Sequence, residues 1–357
     1  MGELLEAAVN AHPPVPVFFA VPDMIDDPGR VSGGNVYDRR IRDGLRADGW
    51  ELTVLPVGDG QGELARTLSR LPDGALVLVD GLLIAREPDA LLEHAPRLPV
   101  VVLAHGVAPD LGDRERDAFR SARGVVATSR WTRGELIERD AVDPRRVVVA
   151  HPGTDPAPAT AASASGGRLL CVATVAPHKG QDLLVRALTR VAGIPGWTCV
   201  LAGSLRAAPE FVARLTDEIA AAGLGGRITL TGVLTGRALQ DAYGRADLVI
   251  APSRHESYGM AVAEALARGI PVLASDVGGI SEAIGGAASA DAAMVVPPDD
   301  AWAVEVVLRR WLTDPAGRRR RKAAAREARS AIRPWTATTA VVASALADAA
   351  RVEVARP

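Results

Sequence analysis

Lysine is almost missing from this chain: of 41 basic residues only Lys179 and Lys322 are lysine, and the rest are arginine. A background that supplies Arg wherever a cation will serve makes each Lys a position to explain. Cysteine is equally scarce, with Cys171 and Cys199 each inside an apolar, strand-like run. Their spacing offers neither a metal-ligand set nor a disulfide framework, so both read as small core residues of a reducing compartment. Long apolar runs are absent too. Nothing approaches the roughly 18 uninterrupted apolar residues of a membrane span, and the uncharged stretch 334–347 is short and threonine-containing. The opening MGELLEAAVNAHPP places Glu3 and Glu6 where a signal peptide carries positive charge. A net charge of −2 lacks the dominant basic face of a nucleic-acid binder. These absences predict a cytoplasmic protein that binds no nucleic acid.

What is present is an alternation of short apolar runs and longer amphipathic segments. A length of 357 residues predicts two domains, each able to bury a core. Residues 15–20, 51–57, 75–79, 100–104, 124–128 and 146–150 read as strands. Their nearly continuous hydrophobicity fits strands covered on both faces, as in a parallel α/β sheet. Between 152 and 167 the sequence PGTDPAPATAASASGG has no period and reads as a linker. After it the alternation restarts, with strands at 168–175, 198–202, 227–231, 248–251, 271–274 and 293–296. Helices are expected at 181–191, 210–222, 237–245 and 260–268. The organisation predicted is an α/β protein with Rossmann-like domains at 1–151 and 168–333, facing a central cleft. A terminal helix, 334–357, has Trp335, Val342, Leu346 and Ala349 at helical spacing and is expected to pack back on the first domain.

The densest chemistry lies in APSRHESYGMAVAEALARGIPVLASDVGG, residues 251–279. A strand ending at Ala251, a polar loop and a helix starting near Gly259 aim backbone N–H groups and a positive helix end at one place, which suits phosphate. Gly259 has no Cβ to obstruct a diphosphate. Glu256 and Glu264 bracket the helix start. At about 1.5 Å per residue they are spaced for the two ends of a nucleotide-diphosphate sugar, Glu256 at sugar hydroxyls and Glu264 at the ribose. Either Glu alone reads more simply as a capping or solvent-facing residue. Glu264, however, lies among Ala261, Val262, Ala263, Ala265 and Leu266, where an idle carboxylate is costly. Lys179, in APHKGQDLL, sits at a second strand–loop–helix junction. A compact ammonium about 4 Å from phosphate contributes about 4 kcal/mol at an effective dielectric of 20. The arginine bias of the chain weakens the alternative of an incidental surface lysine.

The run PS(x2)ESYG(x4)E followed by ALARGIPVLASDVGG resembles the E-x7-E signature of family-4 glycosyltransferases, retaining enzymes of the GT-B fold. The resemblance is specific over 168–298 and looser before 150. There, GGNVYDRRIRDGLRADGWELTV is similar to the family's glycine-rich first loop and helix, with Trp50 in place of a usual His. Ala104-His105-Gly106 matches a His that follows an acceptor-domain strand. The resemblance implies a hexose transferred from a nucleotide-diphosphate sugar to a small-molecule or glycan acceptor, with no metal and no other cofactor. It implies Glu256 at the sugar, Glu264 at the ribose and Lys179 at the diphosphate. His105 would lie near the sugar, and Ser257, Tyr258, Gly259 and Met260 would hold diphosphate and sugar. Gly33 and Gly34 would line the phosphates, and the backbone of Val233 would touch the base. Thr174 stands where many members carry an arginine, leaving Arg206 or Arg254 to supply a second cation.

Weaker signals have plainer readings. Gly58-Asp59-Gly60-Gln61-Gly62 fails the dinucleotide spacing at Glu63 and reads as a turn. No D-x-D motif is present. Residues 113–117 form a solvated helix face, and His12, His94 and His151 fit surface or loop roles. Arg318–Arg321 with Lys322 is expected on an exposed helix, with peripheral membrane contact the less favoured reading. Two alternatives to transfer stay open: a disaccharide phosphorylase or nucleotide-sugar epimerase on the same scaffold, and a non-catalytic nucleotide-binding module.

Overall fold

The computed structural model describes residues 15–351 except 30, 162, 286–290 and 332. The N-terminal segment read above for its charges, with His12, lies outside the described residues. Two compact units emerge. The first comprises residues 1–25, 37–151 and 335–357; the second comprises 26–36 and 152–334.

The first unit holds six strands: β1 (Val17–Pro22), β2 (Leu52–Val57), β3 (Leu76–Asp80), β4 (Val100–Ala104), β5 (Gly124–Ala127) and β6 (Val147–Val149). All pair in parallel, in the order β2-β1-β3-β4-β5-β6. Every residue of β3 and β4 is buried, because helices cover both faces and leave no solvent side to alternate toward. The helix Trp335–Arg351 completes this core with Val342, Leu346 and Ala349, against β1, β3 and β4. Gly44 on the helix Gly33–Ala47 permits that packing, since a Cβ there would lie 2.3 Å from Thr339 Oγ1.

The second unit carries β7 (Arg168–Val172), β8 (Thr198–Ala202), β9 (Ile228–Gly232), β10 (Leu248–Ala251), β11 (Val272–Ser275) and β12 (Ala293–Val296). Its parallel order, β12-β11-β10-β7-β8-β9, is that of a doubly wound dinucleotide-binding sheet. β7 stops at Val172, three residues before the apolar run ends, because Val175 turns into the loop core instead of continuing the ladder. The Pro/Ala/Ser-rich stretch 152–167 lies along this unit. Thr154 and Thr160 donate backbone N–H groups to Arg333 and Arg268, and Ser163 binds Asp247 through both N–H and Oγ. Cys171 and Cys199 are free and buried, and burial pushes the Cys171 thiol up to about 12. Among the described residues no helix is long and apolar enough to cross a membrane.

Three plain readings of the sequence are corrected. His94 is buried, not exposed: its Nε2 faces the Ala65 carbonyl at 3.2 Å and Arg97 donates to its Nδ1, so it ties two helices together. Arg318 is buried as well, donating to the Trp311 and Leu312 carbonyls at the end of the preceding helix. Lys322 is half-buried. Its Nζ reaches the Ser163 carbonyl at 3.1 Å and the wholly buried Asp247 at 3.2 Å. Only long-range contact, between residues about 75 apart in sequence, reveals that last role.

Candidate functional site

In a doubly wound sheet, ligands sit beyond the carboxyl ends of the strands where the winding reverses. In the second unit that point lies between β7 and β10, which are adjacent although β8 and β9 intervene in sequence. Lys179 follows β7 and Glu256 follows β10, so the topology alone brings them together. Lys179 Nζ donates to Glu256 Oε2 at 2.7 Å, with both side chains about one-fifth exposed.

The loops carrying them are locked backbone to backbone. A short 3-10 turn, Pro177–Lys179, ends at Gly180 with φ +68°, and a Cβ on Gly180 would fall 1.9 Å from the Pro252 carbonyl oxygen. The His178 carbonyl accepts the N–H groups of Arg254 and His255. Gly259, at φ +101°, starts the helix Met260–Ala267 from a left-handed conformation that a side chain would strain. Gly279 donates its N–H to the Glu256 carbonyl, and a Cβ on it would lie 2.3 Å from the Ser257 carbonyl oxygen. Burial lowers the His178 imidazole below its ordinary value, with the neighbouring ammonium adding to it.

Arg254 lies beside this pair but its guanidinium is committed elsewhere. It donates twice to Asp182, at 2.8 and 2.7 Å, once to Asp299 at 2.9 Å and once to the Pro177 carbonyl at 2.6 Å. Its side chain braces the two loops, while Arg206 is exposed. Thr174 offers its backbone here: its carbonyl accepts from Gln181, whose side chain is fully buried. Tyr258 points into the core, and Val233 is half-buried just past β9. Gly33 comes close to Met260, since a Cβ on it would lie 3.5 Å from Sδ, and Gly34 follows it in the first turn of the helix Gly33–Ala47.

Glu264 is not idle in its apolar surroundings. Its Oε2 accepts a hydrogen bond from the buried Tyr243 phenol at 2.8 Å, and Arg268 stacks 4.4 Å above the Tyr243 ring. The Tyr243 hydroxyl is pushed well above its ordinary value, by burial first and then by the Glu264 charge. A protein partner therefore stabilises the carboxylate that sequence reasoning reserved for a ligand.

His105 belongs to the first unit, and its surroundings were not foreseen. Nε2 lies 2.9 Å from Asp38 Oδ1 and 3.6 Å from Asp80 Oδ1, both carboxylates being wholly buried. The ring meets Tyr37 edge-on at 5.4 Å. Nε2 is off the line of a well-aligned hydrogen bond, and among the described residues both Asp38 oxygens and Asp80 Oδ2 have no other donor. Asp80 Oδ1 caps the Leu82 N–H at 2.7 Å. Burial alone would depress the imidazole, but the charges of Asp38 and then Asp80 overcome it and hold His105 at about 9. Burial, then the Asp38 charge, lifts Asp80 to about 7. The three ligand atoms all lie within 4.8 Å, so this trio is also where a cation could sit. With Nε2 so close to Asp38, a shared proton satisfies the same charges. Asp80 ends β3 and His105 follows β4, next to the reversal between β1 and β3. A signal existed in sequence: an Asp closing an otherwise apolar strand.

Comparison with known proteins fits this geometry. Residues 161–328 match the model described as glycosyl transferases group 1, and residues 81–158 match glycosyltransferase family 4. A D-inositol 3-phosphate glycosyltransferase of Kineococcus radiotolerans is 33% identical over 283 residues, covering 70% of this chain and 64% of that protein. The protein of the same name from Mycolicibacterium smegmatis is 31% identical over 200 residues, 51% of this chain and 45% of that one. The chain thus spans between about half and two thirds of the length of these relatives. Sucrose-phosphate synthase of Thermosynechococcus elongatus has the same fold, with TM-score 0.75, 20% identity and coverage of 92% of this chain and 98% of that one. Anabaena HepE in complex with UDP-glucose follows at TM-score 0.71, 18% identity and coverages of 92% and 98%. The two parallel six-stranded sheets are therefore those of the GT-B architecture, and the chain belongs to the family-4 glycosyltransferases.

Proposed function

We propose that this protein is a retaining glycosyltransferase that moves a hexose from a nucleotide-diphosphate sugar to a hydroxyl of a small polyol phosphate or glycan. The observation that carries the reading is the Lys179–Glu256 pair, 2.7 Å apart at the winding reversal of the second sheet. Lys179 neutralises the departing diphosphate together with the N-terminus of the helix Met260–Ala267, so charge is stabilised where it develops. Glu256 then exchanges its ammonium partner for sugar hydroxyls, and Glu264, oriented by Tyr243, accepts the ribose hydroxyls. The acceptor attacks the face the diphosphate leaves, and the leaving group takes the proton. Lys179 supplies the countercharge without a metal. D-inositol 3-phosphate is the first acceptor to try, because the relatives above are named for it.

The test begins with calorimetric screening of UDP, GDP, ADP and dTDP sugars, followed by product analysis with D-inositol 3-phosphate in the presence of EDTA. Loss of about 4 kcal/mol of countercharge predicts that Lys179→Ala lowers turnover by about three orders of magnitude while the protein stays folded. Glu256→Gln weakens binding of the intact nucleotide sugar and leaves the bare nucleotide nearly unaffected. Undiminished turnover in Lys179→Ala would sink the leaving-group role. Consumption of inorganic phosphate in place of acceptor would make the enzyme a phosphorylase.

A further inference from the structure

The second unit has a face that the proposed chemistry does not use. Residues 301–329 contain nine basic and three acidic side chains, within a protein whose net charge is −2. They form the helices Ala301–Thr313 and Pro315–Ala328. Three of the large apolar side chains that are exposed gather here: Trp302 at 64%, Val306 at 44% and Val295 on β12 at 48%. Trp302, Val306 and Arg310 follow one another at four-residue spacing, so one helix face presents two apolar groups and then a cation. Val295 and Val306 line a cavity of about 300 Å³ floored by Trp311 and Met294 and rimmed by Arg310, Arg320 and Arg321.

Two of the three rim charges are available. Among the described residues Arg310 and Arg320 enter no ion pair, and Asp314, the acid whose carboxyl both lower, is engaged in capping the Gly317 N–H. Arg321, by contrast, donates to the Asp291 and Ala293 carbonyls and so fixes the rim in place. Solvent-exposed Trp and Val inside an arginine field are costly to leave in water and do little for a nucleic-acid backbone, which wants charge without aliphatic surface. An interface that is apolar below and anionic above answers both features at once.

We propose that Trp302, Val306 and Val295 with Arg310, Arg320 and Arg321 form a docking face for a bilayer surface bearing anionic phospholipid. Trp302 and Val306 enter the acyl boundary, the Arg310 and Arg320 guanidiniums take lipid phosphates beside the rim that Arg321 fixes, and the cavity receives the upper part of one lipid. The proposal is independent of the donor site, which lies at the carboxyl ends of β7 and β10.

Flotation of the full chain with phosphatidylcholine vesicles, with and without phosphatidylglycerol, tests it. Binding is expected only with phosphatidylglycerol, weakening as salt rises. The double charge reversal R310E/R320E should lower vesicle affinity at least tenfold, since each basic residue near an anionic surface contributes about fivefold. Trp302→Ala should lower it severalfold, and wild-type fluorescence should shift to the blue on binding while that of Trp302→Phe does not. All three variants alter exposed side chains, and unchanged thermal midpoints confirm their folding. No binding to anionic vesicles, equal binding to neutral ones, or variants that bind as wild type would each overturn the proposal. Binding to soluble polyglutamate but not to vesicles would overturn it in favour of an acidic protein partner.

Discussion

Replacing Asp38 with Asn removes one buried charge while keeping the side chain's shape, and its consequence can be worked through. In the folded protein His105 holds its proton up to about 9, against 6.5 for an unperturbed imidazole. Above pH 6.5 the unfolded chain releases this proton while the native state keeps it. The stabilisation is therefore complete below 6.5 and is lost as pH rises through 9, at about 1.4 kcal/mol per pH unit and about 3 kcal/mol in all. Asp80, raised from 3.8 to about 7, has the same sign: its contribution is present below 3.8 and lost as pH rises through 7. The window from pH 7 to 9 thus isolates His105. Without the Asp38 charge, burial regains control of the imidazole, and the slope across that window should flatten. Urea unfolding followed by tryptophan fluorescence at pH 7, 8 and 9 gives the comparison. Between pH 7 and pH 9 wild type should lose about 2 kcal/mol more stability than Asp38→Asn does. Parallel stability curves would show that Asp38 does not hold the proton and would refute the reasoning.

Three further outcomes follow from the same contacts. Lys322→Met should cost about 2 kcal/mol in urea unfolding without changing donor affinity; Asp247 loses its cation but keeps donors from Ser163 and Arg168. Gly180→Ala forces a Cβ against the Pro252 carbonyl at positive φ, so the loops at Lys179 and Glu256 must separate. Thermal denaturation should register a loss of at least about 2 kcal/mol, and donor binding measured by calorimetry should weaken with it. Tyr243→Phe leaves Glu264 without its phenol donor, and nucleotide affinity should fall about tenfold with little change in sugar selectivity.

The sequence by itself determined the two parallel α/β units, because continuous Val/Leu runs such as those of β3 and β4 suit only strands covered on both faces. It also marked Lys179 and Glu256, since a rare lysine and a polar loop carrying a Glu each opened a helix after a strand. Those signals are local, and local pattern is what a linear reading detects. The tertiary structure decided the rest, because partners distant in sequence set the environment of a charge. It separated the two lysines by function, pairing Lys179 with Glu256 at the winding reversal and Lys322 with a buried Asp247. It gave Glu264 a tyrosine and committed Arg254 to Asp182 and Asp299. Around His105 it assembled two carboxylates from separate elements whose combined field outweighs burial, a balance that depends on distances of a few ångströms and that no residue spacing encodes.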